Sequence, residues 1–331
     1  MMRSLYSGIS GLRNHQTRMD VIGNNIANVN TAGYKASRVI FQDIFSQTVK
    51  GGMANTGING GTNPVQIGLG IKLSTIDVMH TPAPYGRTDN PFDMMVEGDG
   101  FFIVGYPTQW DVDGNPIAFD KYYTRAGNFK LDDQGYLTNS DGYYVLGYAA
   151  EIVFYPEVVG SGTPGDPGYV APSPARIEFG NIGTSIGPIR LTVDETSDIT
   201  VDGGGVLDPT FVLPGDLVGF AVADDGSVSV MLNNEKQVIA KLSLAMFSNP
   251  GGLDKAGNSL YRATASSGDP WETEALLDGA GKVSGGGLEM SNVDLATEFT
   301  DMIVTQRGFQ ANSRIITVSD TLLEELVNLK R

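Results

Sequence analysis

LYSGISGLRNHQTRMDVIGNNI (residues 5–26) and LATEFTDMIVTQRGFQANSRIITVSDTLLEEL (residues 295–326) stand at opposite ends of a 331-residue chain, and each carries an apolar stripe. In the first, Leu5, Ile9, Leu12, Met19, Ile22 and Ile26 recur at steps of three, four and seven, which puts them on one helix face. In the second, Leu295, Phe299, Met302, Phe309, Ile316, Leu323 and Leu326 follow the same rule, with charged residues off the seam. The two stretches predict helices that pair as a coiled coil, although two amphipathic helices packed on a globular core would show the same stripes. Charge favours their meeting. Residues 1–50 hold six basic side chains against two acidic ones, and residues 288–331 hold seven acidic against four basic.

Between these ends the pattern changes to strands and turns. GFFIVGY (100–106), residues 122–131, the turn DDQG (132–135) and GYLTNSDGYYVLGY (135–148) read as short strands divided by Asp, Asn and Gly. LVGFAVA (217–223), DDG, SVSVML, NNEK and QVIAKLSLAMF (237–247) repeat the grammar. The fold class expected is α+β and multidomain: terminal helices paired as a coiled coil, a mainly antiparallel β-rich body, and a small inserted outer β unit. The domains are then 1–49 with 288–331 for the helices, 50–70 for a connector, and 71–148 with 213–287 for the body. The Pro- and Gly-rich stretch 149–212 is the insert. A short helix is expected at Ala36–Phe45. Asn24, Asn25, Asn28 and Gly33 suit the end of the first helix, since Asn and Gly tolerate left-handed backbone there. The connector holds Gly51, Gly52, Gly60, Gly61, Gly68 and Gly70 and shows neither helical nor strand period. These Asn and Gly positions are the candidate joint between helices and body.

Composition removes several function classes. A formal charge of −16 and a pI near 4.4 argue against nucleic acid or an anionic membrane surface as partner, because both require clustered Lys and Arg. There is no cysteine, so thiolate chemistry and disulfides are out. The N-terminal region has no continuous apolar stretch of signal-peptide type, and no window is apolar enough to cross a membrane, so an extracellular location would need another export route.

Catalytic strings are present but lack their context. Gly183-Thr-Ser185-Ile-Gly187 matches a nucleophile elbow, yet Pro188 follows it and both histidines, His15 and His80, lie upstream; a turn is expected there. Asp111, Asp113 and Asn115 resemble the start of a calcium loop, but Pro116 takes the glycine position and Tyr122 the bidentate glutamate position. Gly98-Asp-Gly100 precedes a strand, so it offers no helix N-terminus to a phosphate. No catalytic residue, cofactor or metal is expected, and the chain reads as something other than an enzyme. A carbohydrate-binding or carbohydrate-hydrolysing β-protein with helical appendages is the remote alternative.

SLYSGISGLRNHQTRMDVIGNNIANVNTAGYK (4–35) closely resembles the N-terminal signature of the bacterial flagellar rod and hook family, and residues 286–329 resemble its C-terminal signature. MMVEGDGFFIV (94–104), YTRAGNFKLDDQGYL (123–137) and FSNPGGLDKAGNSLYRATASSG (247–268) look like its shared β-domain motifs. Asn63-Pro64-Val65-Gln66-Ile67-Gly68 resembles the hook version and favours a hook subunit, with a distal rod subunit as the alternative. The resemblance implies a helical homopolymer forming the flexible tube that transmits torque to the filament. It also implies export through the flagellar type III pathway, and contacts with rod and hook-filament junction proteins, a hook cap and the export apparatus. The thirteen stripe residues are then candidates for a seam between subunits. Burying each is worth about 1.5–3 kcal/mol, so neighbours must complete the burial and the ends of an isolated chain should fray.

Overall fold

The computed structural model describes residues 2–54, 60–110, 116–133, 135–155, 176–189, 200–201, 220–232 and 235–329. They fall into two units. The first comprises Met1–Thr31, Lys35–Thr81 and Ser291–Arg331; the second comprises Ala32–Tyr34 and Pro82–Met290.

In the first unit, helix α1 (Met2–Ala27) leads into β1 (Ser37–Asp43), β2 (Ser46–Lys50), β3 (Val65–Gly68) and β4 (Ile71–Val78), and the unit ends with α2 (Leu295–Asn328). The helix expected at 36–45 is thus a strand. Val39, Ile40 and Phe41 suit a pleated surface better than a helix, and β1 is held antiparallel to β4, with a bulge between Ile40 and Phe41. The change of period at residue 71 does mark a strand, but β4 pairs with β1 and so belongs with the helices rather than with the β-rich body. The connector also differs from expectation. β2 and β3 pair antiparallel, and the Met53–Thr62 bridge carries the ribbon further, so the Gly- and Asn-rich segment is largely a hairpin arm. All residues of β2 and β3 are exposed.

The second unit is built on a sheet that runs, in order, through Ala221–Val222, Ser227–Leu232, Glu235–Met246, Tyr144–Tyr155, Phe101–Trp110, Pro116–Thr124, Leu260–Arg262 and Asp254–Gly257. Apart from a short parallel contact of Thr200–Val201, its pairings are antiparallel. FFIV is apolar at every position because both faces are covered. Phe102 and Val104 enter one core with Val145, Leu242 and Leu244, while Phe101 and Ile103 enter another with Leu146, Ala245 and Tyr261. The boundary expected at residue 149 lies inside the strand Tyr144–Tyr155. Arg176–Pro188 pairs along it, so the described residues of the expected insert extend this same sheet. Gly183–Gly187 belongs to that strand and not to a turn. Asp111, Asp113 and Asn115 lie outside the described residues.

Three stretches distant in sequence meet in this unit. Gly33 adopts φ +68°, and a β-carbon there would lie 2.6 Å from the Ala126 nitrogen, so only glycine fits. Its N–H donates to the Glu289 carbonyl at 2.7 Å. The Glu289 carboxylate in turn accepts from the Ala83 N–H at 3.1 Å and lies 3.5 Å from the Arg125 guanidinium, both side chains being buried. Arg125 also donates to the Val96 carbonyl and stacks over Phe101. Burial pulls its guanidinium below the ordinary value, and Glu289 and Asp99 pull the other way. Such a pair costs much to halve. Arg125→Met should therefore destabilise the unit by about 3–5 kcal/mol, and Arg125→Met with Glu289→Gln by less than the single change. Both tryptophans, Trp110 and Trp271, belong to this unit, so urea titration followed by their fluorescence checks the expectation.

Candidate assembly interface

α1 and α2 pack antiparallel. Gly8 faces Asn312 and Ile316, His15 faces Gly308, Arg18 pairs with Asp301 at 2.9 Å, and Asn25 donates to Glu298 at 2.9 Å. Glycines set the spacing. A β-carbon on Gly11 would lie 2.6 Å from Asn312 Nδ2, and one on Gly308 would lie 2.8 Å from the His15 ring. The centre of the protected face of α1 is therefore Gly8, Gly11, His15, Arg18, Ile22 and Asn25, at steps of three and four. On α2, the sheltered stripe runs through Glu298, Met302, Thr305, Phe309, Asn312, Ile316, Ser319 and Leu323, polar and apolar in alternation.

Asparagines fix the strands against these helices. Asn25 Oδ1 accepts from the Ser37 N–H at 3.0 Å while its Nδ2 donates to the Ser37 carbonyl at 2.9 Å, so the side chain pairs with β1 as another strand would. Asn292 accepts from the Ala36 N–H and donates to the Met79 carbonyl, and Asn14 donates to the Ile71 carbonyl. Lys35, fully buried, donates to the Thr81 carbonyl at 2.7 Å. α2 is capped by Asp294, which accepts from the Ala296 N–H and the Thr297 hydroxyl and whose carboxyl is held below its ordinary value by those bonds. Burial raises the Glu298 carboxyl, and the Asn25 hydrogen bond opposes that rise.

The expected seam residues divide. Ile22 is buried; Leu5, Leu12, Met19, Ile26, Met302, Phe309, Ile316 and Leu323 are half-buried; Ile9, Leu295, Phe299 and Leu326 are exposed, Phe299 at 49%. Sequence reasoning missed Val304, Ile315, Val318 and Leu322, which are 43–57% exposed. They lie on a second apolar stripe of α2, about a quarter-turn from the sheltered one, and the run IITVSDTLL carries its signal. The joint residues divide as well. Asn25 is buried in the Ser37 clip, and Asn28 bonds back to the Asn24 carbonyl at the helix end. Gly33 is seated in the second unit. Gly51, Gly52, Gly60, Gly61 and Gly68 are exposed along the arm, and Gly70, at φ +123°, leaves no room for a β-carbon beside Ser10.

Among the described residues no group of His, Asp and Glu is placed to hold a metal, and no helix is long and apolar enough to cross a membrane. A helix pair that shelters one mixed polar and apolar stripe leaves Phe299, Val304, Ile315, Val318, Leu322 and Leu326 uncovered.

Residues 5–35 match the family model described as flagella basal body rod protein, residues 95–170 that of the flagellar hook protein FlgE/F/G D1 domain, and residues 284–329 that of the flagellar basal body rod FlgEFG protein C-terminal. The chain is 41% identical over 333 residues to the flagellar basal-body rod protein FlgG of Bacillus subtilis, with both chains covered in full. It is 31% identical over 460 residues to the flagellar hook protein FlgE of Borreliella burgdorferi, and 30% identical over 474 residues to that of Treponema pallidum, again with full coverage. With its two terminal signatures, its β-rich body and relatives of this similarity along its whole length, the chain belongs to the bacterial flagellar rod and hook family of axial proteins.

Proposed function

We propose that this protein is a distal rod subunit of the flagellar basal body, a structural part that polymerises helically through α1 and α2. The polymer itself is supported by the uncovered apolar side chains of the helix pair, Phe299, Val304, Ile315, Val318, Leu322 and Leu326. One surface meeting a different surface on the next copy makes an open contact that grows as a helix. Rod over hook is favoured by length as well as identity. The rod relative aligns over 333 residues, close to the 331 of this chain, whereas the hook relatives need 460 and 474. The hook subunit expected from the connector motif is the second reading. Its support is the full-length match to the two hook proteins. Family membership supports a location in the flagellum, and contact with neighbouring axial proteins is part of the same proposal.

Charge is divided between the units in a way that suits assembly. The first unit holds eleven basic and nine acidic residues, the second eleven basic and twenty-nine acidic. The nearly neutral unit carries the proposed contacts, while the acidic one repels its copies. Raising salt from about 0.05 M to about 0.3 M, which shortens the screening length to well under 10 Å, should therefore speed polymerisation followed by light scattering. Slower polymerisation in salt would locate the contacts among charged pairs instead.

Residues 82–290 alone retain Glu289 for Arg125 and should fold as a soluble β-rich monomer that forms no polymer in sedimentation. Tubes formed by that fragment would overturn the role of the helices. Electron micrographs of the polymer decide between rod and hook: straight, rigid cylinders are expected, and curved, flexible ones would restore the hook.

A further inference from the structure

One ionisable group, His15, lies inside the packing of α1 against α2 and β1. The His15 ring lies on the bare backbone of Gly308, with Cε1 and Nε2 2.8 Å and 2.9 Å from where a β-carbon of residue 308 would stand. The Phe41 ring of β1 meets it edge-on at 6.3 Å between centroids. Nδ1 is buried and has no hydrogen-bond partner. The charged group acting on the ring is Arg18, one turn along α1 and itself paired with Asp301; Gly308 of α2 and Phe41 of β1 have nothing to titrate.

We propose that His15 is a proton-sensitive wedge in the first unit: in mildly acidic solution it takes a proton on the buried Nδ1 and loosens α1 from α2 and β1, while the second unit keeps its fold. A protonated Nδ1 needs an acceptor, and none is in reach. The added charge also stands beside the Arg18 guanidinium. Both effects, burial first, hold the imidazole below its ordinary value of 6.5. The folded chain thus binds fewer protons at His15 than the unfolded chain, so the stability this site confers is complete above pH 6.5 and is lost as the pH falls below it.

Hydrogen exchange read by mass spectrometry tests this on the full-length chain, kept dilute enough to sediment as a monomer, at about pH 7.5 and about pH 5. After correction for the intrinsic pH dependence of exchange, peptides from α1, β1 and the first two-thirds of α2 are expected to lose protection at the lower pH. Peptides from Phe101–Val104 and Ala240–Met246 are expected to keep it. In the His15→Gln chain, which cannot take the proton, the loss should disappear. Equal protection of α1 at both pH values in the native chain overturns the proposal, as does the same loss in His15→Gln. The chain has two histidines, so an NMR titration assigns His15 by the signal missing from that variant. A midpoint at or above 6.5 also overturns it, even if the variant is too poorly folded for exchange to be read.

Discussion

The close approach of α1 and α2 is the constraint on which the first unit depends. Gly8, Gly11 and Gly308 let the backbone of one helix touch side chains of the other, and at that distance Arg18 reaches Asp301 and Asn25 reaches Glu298. The same approach places Asn25, Asn14 and Asn292 where their amides can hold β1 and β4. The mutual face interleaves Gly8, Gly11, Asn25, Thr305, Asn312 and Ser319 with the apolar Ile22, Met302, Phe309, Ile316 and Leu323, and of these five only Ile22 is fully buried. An exposed ion pair adds no more than about 1 kcal/mol. The pair is specified more than it is stabilised, and Phe299, Val304, Ile315, Val318, Leu322 and Leu326 are left on the outside.

The second unit solves the opposite problem. Its central strands are covered on both faces, Arg125 and Glu289 are buried in mutual contact, and Gly33 is seated beside them. It has the core of a self-sufficient fold together with a large negative charge. A chain divided in this way can keep a folded, soluble body while the surface proposed for assembly waits for partners. Since the acidic residues are concentrated in the body, repulsion between copies bears on that body more than on the nearly neutral helical unit.

Much of this was legible beforehand, for identifiable reasons. Helices at both ends and strands between them follow from hydrophobic period, which is a local property. Ile22, Met302, Phe309, Ile316 and Leu323 were found by the same means, and they do lie on the sheltered side. Where the sequence misled, the deciding partner was remote. Val39, Ile40 and Phe41 lean locally to strand, but pairing with β4 is what holds that stretch as one. The connector hides two strands on either side of its glycines. Hydrophobicity pointed to the stripe Leu5, Ile9, Leu12, Met19, Ile22 and Ile26, whereas the protected face of α1 also runs through Gly8 and Gly11, because contact distance there is set by the absence of a side chain.

The sequence by itself determined that helices at both ends flank a β-rich body, the period of the strands and the family, since each is written in spacing or in a motif read along the chain. Only the tertiary structure decided which helix face is inner, that the helices run antiparallel, that Asn25 serves as a strand partner and that Arg125 meets Glu289. Those outcomes depend on residues far apart in the chain that become neighbours through packing, and no local pattern records the distance between them.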